Sequence, residues 1–321
     1  MYYLGIDLGG TNIAVGIVDG DHKIIKKGSV PTKAKRAPEA IIADMAALCK
    51  SLLNETNIPL ADIAYAGIAA PGSALPEEGI IEYANNLPFR HFEIAKILRE
   101  YLGIEKVYVE NDANAAAYGE AIAGAAKGTQ YSVMITLGTG VGGGIVLNNR
   151  VYAGFNHAGA EIGHMVIEHN GLPCTCGRRG CFEAYSSATG LISMTKEKLA
   201  ETHDTLMWKL IGGDLSKVSG KTAYAAMRQG DKAAKEVTDK YVSYLACGIT
   251  NIINIFQPDV CCIGGGVCHE GEPLLRPLLA LVREQVYNRD APEQTKTRVC
   301  LAELGNDAGI IGAAALGNYM K

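Results

Sequence analysis

Four side chains in one short stretch have the types and spacing of a metal site. His164, Cys174, Cys176 and Cys181 form the pattern H-x9-C-x-C-x4-C, with Gly177 and Gly180 supplying tight turns. One imidazole and three thiolates make a closed tetrahedral Zn²⁺ set, the structural kind with no position left for water. Buried cysteines without a ligand are the alternative, and the density of the cluster favours zinc. The second chemical candidate is Asp112, which ends the run Val107-Tyr108-Val109-Glu110-Asn111-Asp112 just before alanine-rich residues 113–123. A strand passing into a helix there puts Asp112 at or near the N-cap. As a cap it would contribute about 0.5–2 kcal/mol. The same position suits a general base, because a helix N-terminus favours the ionised carboxylate and ligands of α/β proteins bind outside the carboxyl ends of strands.

Two glycine turns could hold phosphate. Gly9-Gly10-Thr11-Asn12 and Gly138-Thr139-Gly140 each sit between two apolar runs, where backbone N–H groups can converge on one point and glycine lets the chain approach a polyphosphate closely. Either alone could be an ordinary hairpin turn; their repetition favours phosphate. Asp7 ends the strand before the first turn, where a carboxylate either braces the turn or holds Mg²⁺ through water beside the phosphates. Two further motifs fail on context. Gly138, Gly140 and Gly143 satisfy G-x-G-x-x-G, with Glu161 about where a ribose-binding acid would fall, but residues 144–147 continue as strand instead of opening a helix. Gly220-Lys221-Thr222 resembles the end of a phosphate-binding loop, yet no apolar strand leads into it.

The elements that must position these residues are legible as a duplication. Residues 4–25 read as a three-strand meander, and the pattern returns from Val133 to Tyr152 around the second glycine turn. Between the copies, residues 37–54 carry apolar positions at helical spacing, residues 63–69 form a strand, residues 92–101 a helix and residues 106–110 a strand. After the cysteine loop come a helical region ending at Phe256, the strand 260–263 and the turn Gly264-Gly265-Gly266. Each half is a mixed α/β unit. A chain of 321 residues, 48% apolar, can bury two moderate cores. Its net charge of -4 is spread evenly, which argues against a nucleic-acid face. No apolar run reaches the roughly 18–20 residues of a membrane span, and Met1 leads straight into a strand without a signal-type segment, so a cytoplasmic protein is expected. Nine cysteines without a secretion signal favour reduced thiols. Cys49, Cys247, Cys261, Cys262, Cys268 and Cys300 read as core residues, and His157, His169, His203 and His269 have no evident partners.

Together these features resemble the ROK family (repressors, open reading frames and kinases) of the actin-like, ribonuclease-H-like ATPase superfamily. The resemblance rests on Asp7-Leu8-Gly9-Gly10-Thr11-Asn12, Glu110-Asn111-Asp112-Ala113-Asn114, Leu137-Gly138-Thr139-Gly140-Val141-Gly142-Gly143, Glu161-Ile162-Gly163-His164 and the segment from Cys174 to Glu183. It implies an α/β fold of two ribonuclease-H-like domains flanking a cleft, with a zinc-binding loop. The expected lobes are residues 1–115 with about 305–321, and residues 116–304. It further implies an ATP-dependent hexose kinase with Asp112 as base. The sugar would be held by Asn86, Asn111, Asp112, Glu161, His164 and Glu183, with His164 also binding zinc. Gly265 and Gly266 would face the adenosine, and the last helix, residues 308–319, would return to the N-terminal lobe. Asn85-Asn86-Leu87-Pro88 looks like the sugar loop of family glucokinases, so glucose is the expected substrate. Fructose, allose, mannose, N-acetylmannosamine and N-acetylglucosamine stay open, as does polyphosphate as donor. Family repressors carry an N-terminal helix-turn-helix domain, whereas here a phosphate turn begins at Gly9; an enzyme is expected over a sugar sensor. Family members are often dimers, and residues 241–256 could serve a core or an interface.

Overall fold

The computed structural model describes residues 1–320. In chain order the strands and helices are β1 (Tyr2–Leu8), β2 (Asn12–Val18), β3 (Ile24–Pro31), α1 (Pro38–Thr56), β4 (Ile63–Ala70), β5 (Ser73–Leu75), β6 (Ile80–Tyr83), β7 (Arg90–Phe92), α2 (Ile94–Leu102), β8 (Val107–Asn111) and α3 (Asp112–Ala123). There follow β9 (Tyr131–Leu137), β10 (Val141–Leu147), β11 (Arg150–Val151), α4 (Phe182–Ser186), α5 (Ala188–Glu201), α6 (Leu206–Leu210), α7 (Thr222–Met227), α8 (Lys232–Phe256), β12 (Val260–Gly264), α9 (Glu272–Gln285), β13 (Arg298–Leu301) and α10 (Ala308–Ala315). The chain divides into two compact units. One comprises residues 1–134, 144–160 and those from Ala302 onward, the other residues 135–143 and 161–301. No described helix is long and apolar enough to cross a membrane.

The first unit is built on a five-stranded sheet of order β3-β2-β1-β4-β8. β1, β2 and β3 form an antiparallel meander, and β4 joins β1 and β8 in parallel. The third strand runs to Pro31, well past the expected Ile25. It is a half-exposed strand, with Ile25, Lys26, Lys27, Ser29 and Pro31 open to solvent, so beyond Ile25 it carries no apolar run to betray it. α1 buries Ile41, Ile42, Met45, Cys49, Leu52 and Leu53 on one face, the apolar stripe that its sequence spacing predicts. It stops where Asn57 takes the left-handed conformation at φ 53°. The small sheet β5-β6-β7 had no signal, because strands of three or four residues are too short for a period to show.

The helix α10 makes the closest contacts of this unit. All eight of its residues are buried, and small side chains bring its backbone against its neighbours. A Cβ on Gly5 of β1 would lie 2.0 Å from the Ile310 carbonyl oxygen, one on Gly67 of β4 1.9 Å from that of Ala313, and one on Gly312 1.7 Å from that of Ala115 in α3. Gly312→Ala should therefore reverse the usual rule. An exposed helical glycine gains up to about 1 kcal/mol on becoming alanine, whereas here overpacking should cost about 3 kcal/mol, read as a lowered midpoint in urea unfolding.

The second five-stranded sheet has the order β11-β10-β9-β12-β13, with β12 and β13 parallel. β10 starts at Val141, three residues earlier than the expected Gly144, so the glycines after the second turn lie within a strand. A side chain at Gly144 would strike Ala117 and the Ala113 carbonyl of α3 at 2.5 and 2.7 Å. The strand continuing through Leu147 confirms the rejection of a dinucleotide fingerprint. Gly220-Lys221-Thr222 opens α7 after a 3-10 turn at Leu215–Lys217, with no strand before it. Cys49, Cys261 and Cys262 are buried as expected. Cys247, Cys268 and Cys300 are only half-buried, a correction to their assignment as core.

Candidate functional site

In the first unit, Asp7 lies at the end of β1 and the turn that follows is closed by a bond from Gly9 N–H to the Asn12 carbonyl of 2.9 Å. Thr32 braces it twice: its hydroxyl donates to the Gly9 carbonyl at 2.6 Å and its N–H to the Thr11 carbonyl at 2.8 Å. Gly10, Thr11 and Asn12 are left exposed. A Cβ on Gly10 would lie 3.6 Å from Cβ of Asn86, so the Asn86 loop stands beside this turn. Leu87 and Phe89, both buried, anchor that loop while Asn86 itself is exposed.

The N-cap of α3 is Asn111, not Asp112. The Asn111 side-chain oxygen accepts from the N–H groups of Ala113 and Asn114 at 2.9 and 3.1 Å, and its amide donates to the Gly72 carbonyl at 3.0 Å. Asp112 is the first helical residue, with Oδ1 accepting from Ala113 N–H at 2.8 Å. The cap function that competes with catalysis thus belongs to its neighbour. Burial raises the Asp112 pKa above the ordinary aspartate value, against the lowering effect of the Ala113 N–H. Asp7 is pushed up to about 6, by burial first and then by the nearby Asp112 carboxylate. A half-buried carboxylate whose ionisation is hindered by a neighbouring carboxylate is well placed to face a cation.

In the second unit, the turn after β9 is held from several sides. Gly138 N–H donates to the Gly140 carbonyl at 3.0 Å, Ala188 N–H to the Gly138 carbonyl at 2.8 Å and the Thr189 hydroxyl to the Thr139 carbonyl at 2.7 Å. Glu183, the second residue of α4, accepts from Val141 N–H at 3.0 Å through Oε2, while its Oε1 takes the Thr175 hydroxyl at 3.2 Å. One carboxylate therefore ties the glycine turn to the cysteine loop. Gly140 leaves the room for it, since a Cβ there would fall 2.3 Å from Glu183 Oε2. Gly265, at φ 95°, lies against the end of β9, where a Cβ would be 2.4 Å from the Leu137 carbonyl oxygen. Gly266 begins the 3-10 turn that follows.

His164, Cys174, Cys176 and Cys181 converge, with one ligand atom from each lying within 4.8 Å of the others. Cys176 Sγ is 3.7 Å from Cys181 Sγ, and His164 Nδ1 is 3.6 Å from Cys174 Sγ. Tetrahedral bonds of about 2.3 Å to sulfur and about 2.0–2.1 Å to nitrogen require edges of about 3.8 and about 3.6 Å. Burial, then the adjacent thiols, push Cys181 up to about 12, so three thiolates held this close need a cation to keep them ionised. The residues fit a tetrahedral thiophilic ion. Nδ1 is the nitrogen turned to the cluster, which leaves Nε2 of His164 for another partner. Glu161 is exposed and precedes the 3-10 turn Ile162–His164, whose Gly163 abuts the Val141 carbonyl.

The ROK family model matches residues 3–319. The chain belongs to the ROK family. It is 39% identical to a glucokinase of Thermotoga maritima over 98% of this chain and 96% of the relative. Among solved structures it is similar to a ROK family glucokinase from Streptomyces griseus in complex with glucose and AMPPNP, at 32% identity and a TM-score of 0.77, covering 98% of this chain and 99% of that one. A ROK hexokinase from Thermus thermophilus is similar at 31% identity and a TM-score of 0.81, over 98% and 97% of the two chains. The mixed α/β fold is that of the ROK kinases.

Several bonds that shape the site of this ROK protein carried no sequence signal, among them Thr32 under the first turn, Thr189 on the second and the Glu183 bond to Val141. Each joins residues distant in the chain through one hydroxyl or carboxylate, which no local pattern encodes. Asp7 carries a pH-dependent cost. Its folded pKa of about 6 exceeds the ordinary 3.8, so the folded state holds the proton more tightly, and this group's contribution falls as pH rises from about 4 to about 6. Asp7→Asn should raise the melting temperature of the ligand-free protein at neutral pH and give no gain below pH 3.8. Thermal melts of both proteins across that range would show it.

Proposed function

We propose that this chain transfers the γ-phosphoryl group of Mg·ATP to a hexose, glucose first, yielding glucose 6-phosphate and ADP. The observation that carries this is Asp112, a half-buried carboxylate at the head of α3 that is relieved of capping by Asn111 and stands near Asp7 and the first glycine turn. In this reading Asp112 accepts the proton of the attacking hydroxyl as the new O–P bond forms and the bond from the γ-phosphorus to the ADP oxygen breaks. Such a base contributes about 10²–10⁴ in rate, and the rest comes from alignment and charge neutralisation. Asp7 would face the Mg²⁺ of the nucleotide, with Gly9, Gly10, Thr11, Asn12, Gly138, Thr139 and Gly140 taking the phosphates and Gly265 and Gly266 lying along the adenosine. The sugar contacts proposed for the first unit are Asn86, Asn111 and Asp112, and for the second Glu161, His164 and Glu183. The Asn111 oxygen already accepts two N–H groups and one amide N–H donates to Gly72, so the second amide N–H is the part left to serve a hydroxyl.

The ion of the cysteine cluster is proposed to be Zn²⁺, held by His164, Cys174, Cys176 and Cys181 in a structural role. It would fix the imidazole so that Nε2 can meet a sugar hydroxyl. The similarity to a glucokinase solved with glucose and AMPPNP supports glucose and ATP; the similarity to a hexokinase keeps the breadth of sugars to be measured. ADP release from Mg·ATP across hexoses and N-acetylhexosamines tests the reading. A preference for an acetamido sugar would replace glucose, and no turnover with both ligands bound would make the chain a sensor. A cytoplasmic homodimer is proposed with it. Ile255 and Tyr287, 64% and 93% exposed in the second unit, offer apolar surface for a second copy. Sedimentation equilibrium should then give twice the chain mass, and Ile255→Asp a monomer.

A further inference from the structure

The first unit contains a cavity of about 490 Å³ that none of the roles above uses. Its chemistry is set by Glu77, Tyr108, Glu110, His157 and Tyr319, and no lysine or arginine is found among the described residues that line it. Its two ionisable carboxyls, Glu77 and Glu110, are its strongest acceptors. Glu110 is 3% exposed. Its Oε1 is satisfied by Asn111 N–H at 2.8 Å and the Asn114 amide at 3.1 Å, whereas Oε2 receives the Tyr319 hydroxyl in a long bond of 3.3 Å. His157 Nδ1 is buried with no hydrogen-bond partner at all. A buried polar atom left unpaired costs about 1–3 kcal/mol, so an occupant that pairs with this nitrogen is favoured, and in the tautomer with the proton on Nε2 that occupant is a donor. The walls suit a cation as well. Tyr108 meets the Tyr65 ring edge-on at 5.2 Å and Tyr319 meets Tyr118 at 4.8 Å, contacts that hold the two rings in place. Fixed tyrosine faces attract cations.

We propose that this cavity binds a small organic cation bearing a primary ammonium group. Three N–H donors on one nitrogen match Glu110 Oε2, His157 Nδ1 and the Glu77 carboxylate, while the organic body lies along the tyrosines. A bare metal ion is a poor match, because the space is that of a small-molecule pocket, about 300–1,000 Å³, and two of its walls are aromatic. Burial holds Glu110 above the ordinary glutamate value, a penalty that a bound ammonium relieves. The residue next along β8 from Glu110 is Asn111, the cap of α3, so an occupant lies one residue from the helix that carries Asp112.

The site does not depend on which reaction the chain performs, and binding is measured without turnover. Isothermal titration of the full-length protein with benzylamine, against benzyl alcohol as the neutral isostere, provides the test. Benzylamine is expected to bind saturably at one site per chain, with the alcohol weaker by at least about tenfold. Glu110→Gln and His157→Gly should each weaken benzylamine by a similar factor. His157 has a φ of 57°, a conformation that glycine adopts readily, so this variant keeps the loop even if Glu110→Gln fails to fold. Equal affinity for amine and alcohol, no saturable binding, or undiminished binding in His157→Gly would each overturn the proposal.

Discussion

Asp112→Asn should lower kcat for sugar phosphorylation by at least about a hundredfold, the loss that removal of a general base predicts, with the protein still folded. The two halves of that expectation come from different atoms. The amide cannot take a proton from the attacking hydroxyl, so the chemical step loses its acceptor. The fold survives because Asn111, not Asp112, caps α3, and the variant keeps an oxygen where Oδ1 accepts the Ala113 N–H. The contrast is Asn111→Ala, which should cost about 1 kcal/mol of stability as a lost cap. Burial places the Asp112 pKa above the ordinary aspartate value, so kcat/KM of the native enzyme should fall with acid at a higher pH than a solvated aspartate would give. That limb should disappear from the residual activity of the variant. Coupled ADP-release kinetics on both proteins across pH would read all of this. A variant that keeps native kcat, with sugar and nucleotide bound, would remove Asp112 from the chemistry and return the residue to a structural role.

Much of the candidate site is proposed from residue types, because chemistry at a turn leaves local marks. Glycine beside threonine between two apolar runs marks Gly9-Gly10-Thr11 and Gly138-Thr139-Gly140, and four thiophilic side chains within eighteen residues mark the candidate metal cluster. The strands β1, β2, β4, β8, β9 and β12 were legible for the same reason, since each is buried and therefore an apolar run. The half-exposed β3 and the three short strands β5, β6 and β7 escaped because exposure or brevity erases the pattern. The competition between Asn111 and Asp112 for the cap was undecidable from sequence: two adjacent residues with cap-forming side chains differ only in which one keeps β-region dihedrals, and Asn111 does, at φ -60° and ψ 145°. The Glu183 bridge was hidden for another reason. Its partner is a backbone N–H forty-two residues away, and every residue has one of those.

That bridge makes the metal cluster the second place where a large effect is expected. Cys181 is fully buried and Cys176 lies beside it, so if the proposed Zn²⁺ is held there, the native protein should carry it stoichiometrically by atomic absorption, and Cys181→Ser should abolish it and lower the melting temperature. Loss of activity should accompany it through two residues, His164 and Thr175. His164 would no longer be held by Nδ1, which frees the ring to rotate and misdirect Nε2. Thr175, next to Cys174 and Cys176, would no longer hold Glu183 against Val141, so the glycine turn after β9 loses one of its braces. Groups that orient a metal site's ligands are typically worth about 10–100-fold in function when removed, and a comparable loss in kcat/KM is expected here. The nature of that loss separates orientation from general unfolding. Misdirection of His164 should raise KM for the sugar at temperatures where circular dichroism still reports a folded chain, and Zn²⁺ added back to chelator-stripped native protein should restore it where Mg²⁺ does not. Thr175→Val offers the finer control: it leaves all four ligands in place and removes only the hydroxyl on Glu183, so it should keep full zinc content while raising KM for ATP. Native protein that is fully active with no zinc bound would show that the cluster neither orients the imidazole nor braces the turn.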